Sequence, residues 1–433
     1  MSESPRRIVI VGAGFAGLYA YLALHKQFHN TGKVAITLIN ETDQFVFVPM
    51  LHEVATGTLT PASITTPLRS IPHCCLERFI EGRAEHVHLE EKNVSVLHRP
   101  HDLSESAGIR IHVPYDYLVL ATGSTTNFFG VPGAAEHALP LKTIADAAQI
   151  KNRIIELFER AEGEPNGTKH TDILRTVIVG GGPTGVELAG ELADLLNEEL
   201  THAFPKIAPR AEIVVLDRNE VFLKEVGPWF SEKAREILGE KGRVSFRGNT
   251  GVTRVTPEGV ETTGGVISAG MVVWAAGVAA HDPMPSAAPN VVRDEKRGRV
   301  RVNEFLHLSA YPEVFVAGDL AWAEDLETRQ PYPMRAQFAV REGRTVGENI
   351  ARLIRGEPLR AFEWNEHGFI LSLGKGGALA KIFGVRLSGI VAWVMYRAAY
   401  IFSSFGARAK MRMSLEWLLN LFLPRDISKL ADD

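Results

Sequence analysis

Cysteine is nearly missing from this sequence: its 433 residues contain only two, the neighbours Cys74 and Cys75. That shortage excludes a disulfide framework and a zinc cluster built from cysteines. Adjacent cysteines bond to each other only in a strained ring, so a reduced pair in a cytosolic environment is expected. Neither sign of charge dominates. The net charge of -4 gives no electrostatic reason for nucleic-acid binding, and no nucleic-acid partner is expected. An uninterrupted apolar run at the N-terminus is lacking too. Arg6 and Arg7 followed by residues 8–24 imitate a secretory signal peptide, but three glycines break the run and no small-residue cleavage site follows. The segment reads instead as the first strand and helix of a folded domain, in a protein that stays in the cytoplasm. No cluster of metal ligands is evident, and no metal is expected.

What is present is the composition of a globular protein, 45% hydrophobic and 23% charged, with 39 glycines that suit many tight strand-to-helix turns. The length allows two or three domains of ordinary size. RRIVIVGAGFAGLYAYLALHKQF reads as a short strand, a glycine turn and a helix, with a second strand over 35–40. An apolar strand is expected over 115–124, and the polar stretch 161–171 reads as a loop. The opening theme then returns as RTVIVGGGPTGVELAGELADLL, followed by strands over 212–217, 271–278 and 314–319. The pattern predicts an α/β protein with two Rossmann-like dinucleotide-binding domains.

In the first repeat, Gly12, Gly14 and Gly17 stand between a strand and a helix. The first makes the tight turn, the second admits a pyrophosphate to the backbone, and the third lets helix and strand pack closely, while the helix N-terminus favours phosphate charge. The next strand ends in Asn40 and Glu41; Glu41 is the candidate for the ribose hydroxyls, with Asn40 able to bond one less strongly. In flavoproteins of this architecture the acid ending a segment like VFVAGD bonds the ribityl chain of FAD, which points to Asp319. The ATG segment with Thr122 and Gly123 adds to that reading.

In the second repeat, Gly180, Gly182 and Gly185 repeat the spacing, and Asp217 ends the following strand. An acid there favours NADH, because it bonds both ribose hydroxyls and repels the 2′-phosphate of NADPH. Arg218 beside it weakens that preference, since a guanidinium pairs with phosphate. Glu187 lies in the first helical turn, and the motif alone allows two readings: a carboxylate favoured by the helix dipole, or a group at the nicotinamide.

The chain resembles the type II NADH dehydrogenases, single-subunit NADH:quinone oxidoreductases that do not pump protons. The resemblance is carried by IVIVGAGFAGL, FVPMLHEVATGTL, YDYLVLATGS, VIVGGGPTGVELAGELADL, VVWAAGV, VFVAGD, AQFAVREG and LSGIVAWVMYR…LEWLLNLFLPRDIS. It implies non-covalent FAD in a discontinuous first domain (1–125 and 295–365), NADH in an inserted second one (126–294), and a membrane-associating C-terminal region (366–433). It places Glu187 near the nicotinamide and flavin rings as a catalytic residue. Ala336 and Gln337 match the alanine-glutamine pair against the flavin beside the quinone, with Gln337 catalytic. Two departures stand out: Arg341, where the family often has a second glutamine, and Asn40, where it usually shows an acid.

A quinone is lipid-soluble, so the tail should reach a bilayer. Residues 384–405 are about long enough to span, since roughly 20 residues are needed, but Arg397 near the middle argues against it. Trp393, Tyr396 and Tyr400 suit an interface. Met411, Leu415, Leu418, Leu419 and Phe422 share one helical face. Between residues 384 and 425 there are six basic side chains and one acidic. The expectation is peripheral attachment to the cytoplasmic face of the cell membrane through C-terminal helices lying in the headgroup plane, against a buried helix pair or a dimer interface. Quinone is expected near Gln337, Arg341 and Arg397, and a homodimer is a fair expectation. The rival sulfide:quinone oxidoreductases need a redox cysteine pair at the flavin, which Cys74 and Cys75 precede. A flavin- and NADH-sensing protein without turnover would need neither the AQ segment nor the tail.

Overall fold

Ile8, Val9, Ile10 and Val11 are all buried in strand β1 (Arg6–Val11), as an apolar run must be when helices or loops cover both faces of a parallel sheet. The computed structural model describes residues 4–98, 108–164, 170–284, 290–364 and 368–430. In chain order, β1 leads to helix α1 (Phe15–Phe28), strand β2 (Val34–Asn40), the single turn α2 (Leu51–Val54) and strands β3 (Leu76–His88) and β4 (Tyr117–Leu120). Helix α3 (Ile144–Gly163), strand β5 (Arg175–Val179), helix α4 (Pro183–Leu195), and strands β6 (Glu212–Leu216) and β7 (Met271–Trp274) follow. Strand β8 (Val314–Val316) and helix α5 (Ala336–Arg355) precede strands β9 (Gly368–Ser372), β10 (Ala378–Ile382) and β11 (Val385–Ser388). The last helices are α6 (Ile390–Ser403) and α7 (Ala407–Leu419).

Two compact units share the chain. The first comprises Met1–Val46, Thr66–Thr125 and Val278–Asn365. Its seven-stranded sheet runs β8-β4-β1-β2-β3 in parallel, then continues antiparallel through Asn93–His98 and Ile109–Pro114. Helix α5 packs closely along α1: a Cβ on Gly343 would lie 2.1 Å from the Ala16 carbonyl oxygen, and one on Gly347 2.6 Å from that of Ala20. The second unit comprises Phe47–Thr65, Thr126–Gly277 and Glu366–Asp433. Its five-stranded parallel sheet has the order Leu139–Pro140, β7, β5, β6, Val244–Arg247. Strands β9, β10 and β11 form an antiparallel sheet in the same unit.

The α/β class and the paired strand-turn-helix repeats are as the sequence predicts. Several boundaries differ. The first unit resumes at Val278 rather than 295, and residues 366–433 belong with the second unit instead of standing as a region of their own. The strands expected over 115–124, 271–278 and 314–319 shorten to β4, β7 and β8, because their glycine ends turn away; Gly318 begins a one-turn helix. The loop expected over 161–171 is helical at both ends, in α3 and in His170–Leu174, while residues 165–169 lie outside the described residues. Residues 384–405 do not form one apolar segment: Gly389, at φ +72°, separates β11 from the 14-residue α6. No described helix is long and apolar enough to cross a membrane.

Candidate functional site

The first cradle is built by β1, α1 and the end of β2. Gly12 has φ +93°, and a Cβ there would sit 2.2 Å from the Ala121 carbonyl oxygen, so no other residue makes this turn without displacement. Gly17 abuts the Gly12 carbonyl, while a Cβ on Gly14 would meet no heavy atom within 4 Å. The α1 N-terminus at Gly14 carries no side-chain cap, so its amides face open space, the geometry that binds phosphate. The Ala13 amide donates to Asn40 Oδ1 at 2.8 Å, and Asn40 Nδ2 donates to the Thr42 carbonyl at 2.9 Å. Asn40 thus secures the turn. Glu41 pairs with Arg83 at 3.6 Å, both more than half exposed.

Other groups of the first unit meet at the ends of β4 and β8. The Thr122 hydroxyl donates to the His281 carbonyl, Gly123 has φ +73°, and Ser124 Oγ donates to Asp319 Oδ2 at 2.5 Å. The Gly318 amide donates to Glu342 Oε2 at 2.6 Å, and burial pushes the Glu342 carboxyl up to about 7. Ala336 and Gln337 open α5; Gln337 is exposed. Arg341, one turn on, lies 4.5 Å over the Trp364 ring. That stacking explains how a cation sits at this position: the ring face offsets part of the desolvation that lowers its pKa.

The second cradle repeats the first. Gly180 has φ +114°, Gly185 abuts the Gly180 carbonyl, and the Cβ position of Gly182 is open. The Gly181 amide donates to Asp217 Oδ2 at 2.8 Å, and the Asn219 amide donates to Oδ1 at 2.7 Å. Arg218 is exposed and lies 5.8 Å over the Phe129 ring. Glu187, expected in the first helical turn, lies just beyond it because α4 starts at Pro183, and it accepts the Ser372 amide at 3.3 Å. It keeps some accessible surface, yet the surrounding protein desolvates its carboxyl enough to push its pKa up to about 8.

Along the same face of α4 lies a buried polar network that sequence reasoning missed. Glu191 accepts Thr58 Oγ1 at 2.9 Å and Arg425 Nη1 at 3.0 Å. Glu53 on α2 accepts the Trp417 indole N–H at 2.6 Å, and Tyr396 Oη lies 3.3 Å from His52 Nε2. Burial and the Glu191 charge raise Glu53 to about 7, and burial lowers His52 to about 4. Burial works to raise Glu191 as well, but Arg425, His52, the Thr58 hydroxyl and Arg397 together outweigh it and hold the carboxyl below its ordinary value. The Arg397 guanidinium is held between Trp393 and Trp417, at 4.1 and 4.4 Å, and its Nε and Nη1 have no hydrogen-bond partner among the described residues.

The tail therefore corrects one expectation and bears on another. Tyr396 is fully buried against His52 of α2 rather than set at an interface, while Trp393 and Tyr400 are half-buried and Trp393 lies under Arg397. The outer faces of α6 and α7 are apolar and exposed, with Phe402 and Phe422 each 80% accessible and Ile390, Val391, Val394, Met411, Leu415, Leu418 and Leu419 alongside. Cys74 and Cys75 lie by His25 and His29 at the C-terminal end of α1. That is about 20 Å of helix from the glycine turn, so they are not at the pyrophosphate cradle.

The sequence matches the family model described as pyridine nucleotide-disulphide oxidoreductase over residues 6–343. It is 31% identical to a type II NADH:quinone oxidoreductase of Mycobacterium tuberculosis, covering 98% of this chain and 90% of that one. It is 28% identical to a type II NADH:quinone oxidoreductase of Staphylococcus aureus, covering 90% and 92%. Among solved structures, NDH2 of Plasmodium falciparum in complex with NADH superposes with a TM-score of 0.87 at 18% identity, over 98% of this chain and 100% of that one. The sulfide:quinone oxidoreductase of Aquifex aeolicus shares the fold at a TM-score of 0.71 and 18% identity, covering 96% and 95%.

Proposed function

Because the chain belongs to the pyridine nucleotide-disulphide oxidoreductases and, within them, to the type II NADH:quinone oxidoreductases, we propose that its first cradle holds FAD and its second NADH. When bound, FAD supplies the two-electron chemistry, taking hydride from NADH and passing two electrons to a quinone. The single observation that carries the assignment of the cradles is their duplication. In both, a strand-end side-chain oxygen holds the amide after the first glycine at 2.8 Å, Asn40 on Ala13 and Asp217 on Gly181, and leaves the next glycine open.

In this reading Gly12, Gly14 and Gly17 admit the FAD pyrophosphate to the N-terminus of α1. Asp319, positioned by Ser124, bonds the ribityl chain, with Thr122, Gly123 and Ala336 lining the flavin. Asn40 or Glu41 takes the FAD ribose, Glu41 at the cost of its exposed pair with Arg83. Gly180, Gly182 and Gly185 do the same for NADH at α4, and Asp217 bonds its ribose. Arg218 stacks on Phe129, which supports a preference for NADH over NADPH. Glu187 stays protonated at neutral pH because of burial, and so offers a hydrogen-bond donor at the nicotinamide without adding negative charge there.

Gln337 and Arg341, and separately Arg397, are the groups we assign to the quinone. All three carry N–H groups that the reduced quinone oxygens would accept; Gln337 is exposed, and Arg397 has Nε and Nη1 without a hydrogen-bond partner among the described residues. Attachment to anionic lipid at the cytoplasmic face is supported by the exposed apolar side chains of α6 and α7 next to exposed Arg408 and Arg412. The cofactor assignment is tested by heat release from the purified chain: one FAD per chain is expected, and near-complete loss in Gly12→Val. Another flavin, or retention in that variant, would refute it.

A further inference from the structure

We propose that His25, His29, Cys74 and Cys75 form a binding site for a thiophilic divalent cation, zinc being the ion whose geometry they match. His25 lies in the last turn of α1, and His29 is the residue that caps its C-terminal end. The two cysteines immediately precede β3. Cys74 Sγ lies 3.3 Å from His25 Nδ1, 3.0 Å from His29 Nδ1 and 3.4 Å from Cys75 Sγ. The ligand atoms of His25, Cys74 and Cys75 all fall within 4.8 Å of one another.

Tetrahedral zinc, bonded at about 2.3 Å to sulfur and about 2.0–2.1 Å to nitrogen, separates neighbouring donors by roughly 3.3–3.8 Å. The spacings among His25, Cys74 and Cys75 need only a slight outward relaxation, while exposed His29, beside Cys74 but outside that group of three, would move inward to complete the tetrahedron. Hydrogen bonding alone accounts for the convergence less well. As a neutral thiol Cys74 donates weakly to one imidazole nitrogen and accepts weakly from the other, whereas a cation serves both strongly together with the second sulfur. Two thiolates neutralise the ion, and binding releases the two thiol protons. Sulfur and imidazole donors select zinc over magnesium or calcium.

The surroundings suit such a site. Cys75 is buried with its sulfur 3.4 Å from the Phe28 carbonyl, and the His25 ring stacks on buried Tyr21. Exposed Cys74 and His29 leave an entry path from solvent. Asn30 Nδ2 lies 3.1 Å from His29 Nε2; with the amide rotated by 180° its oxygen would take that place and accept the Nε2 proton that remains when Nδ1 ligates. The ion would tie the last turn of α1 to the start of β3, at the opposite end of α1 from the first cradle. The scarcity of cysteine excludes an all-cysteine cluster, but a histidine in the last turn of α1 and another at its C-cap complete a mixed set.

The test uses the full flavin-loaded chain, reduced and stripped with a chelator, then titrated with zinc or cobalt(II). One zinc per chain should survive dialysis, and cobalt should give thiolate charge-transfer and strong ligand-field bands at wavelengths beyond the flavin. Losing a supporting residue around a metal commonly costs 10–100-fold in affinity, so Cys74→Ser and His25→Ala should each cost more than about 100-fold. Cys74 is exposed, so its serine variant should keep its flavin content and melting temperature. The proposal is overturned by zinc retention that is absent or equal in wild type and both variants, by an octahedral cobalt spectrum, or by a Cys74–Cys75 disulfide that persists in reductant.

Discussion

Arg425 places its Nη1 3.0 Å from Glu191 Oε2, and the two side chains are only 5% and 2% exposed. The pair joins the end of the C-terminal tail to the helix that begins at the second glycine cradle. Glu199 accepts the Arg425 amide at 3.1 Å in the same pocket. The tail is therefore part of the core of its unit as well as a surface.

Removing one partner of such a pair leaves an uncompensated buried charge, which costs about 3–5 kcal/mol. Arg425→Ala should lower the denaturant midpoint accordingly, while Arg425→Ala with Glu191→Gln should recover part of the loss. Equal midpoints for wild type and Arg425→Ala would show that the pair carries no stability.

Asn40 shows that an amide oxygen suffices to hold a glycine turn, since it accepts the Ala13 amide at 2.8 Å. Asp217→Asn should accordingly preserve the second turn while removing the charge that repels a 2′-phosphate. Steady-state kinetics should show KM for NADH rising about tenfold and the preference for NADH over NADPH narrowing. An unchanged preference would remove Asp217 from the ribose site.

Glu187 has an ordinary value of 4.5 and a folded-state value of about 8. Between those values the folded chain holds a proton that the unfolded chain has released, so stability falls as pH rises through the window. Glu187→Gln should flatten that fall in denaturation midpoint between pH 5 and 8. It should also slow flavin reduction by NADH or alter the charge-transfer absorbance. Identical pH profiles and identical traces would exclude the proposed role.

The exposed face of α6 and α7 gives a test that spares the core. Phe402 and Leu418 are 80% and 54% accessible, so Phe402→Glu with Leu418→Glu should leave folding intact. Wild type should sediment with vesicles containing anionic lipid, less so at high salt, and the double variant should stay in the supernatant. Equal sedimentation would count against the membrane surface. Truncation at residue 384 is a poorer test, because it also removes Trp417 and Arg425 from their buried partners.

Both cradles were legible in the sequence because the strand, the glycine spacing and the helix are contiguous, although the backbones that crowd Gly12 and Gly180, at Ala121 and Ala275, come from distant strands. The strand-end residues Asn40 and Asp217 were legible as polar groups, but their bonds to the Ala13 and Gly181 amides were not, because each sits on the strand after the turn it holds. Glu53, Glu191 and Arg425 gave no signal, since charged residues so far apart read as solvated surface until folding buries them together. Arg397 was noticed as an anomaly in an apolar run, but its place between Trp393 and Trp417 depends on the break at Gly389. His25 and His29 were passed over as ordinary helix residues because the cysteines that meet them lie on another segment.

The most direct measurement is a stopped-flow flavin spectrum of the purified chain mixed first with NADH and then with a short-chain quinone. The account predicts rapid bleaching by NADH and rapid return of the oxidised spectrum on adding quinone. A chain that lacks flavin colour, or whose bleached spectrum does not return with quinone, would contradict it.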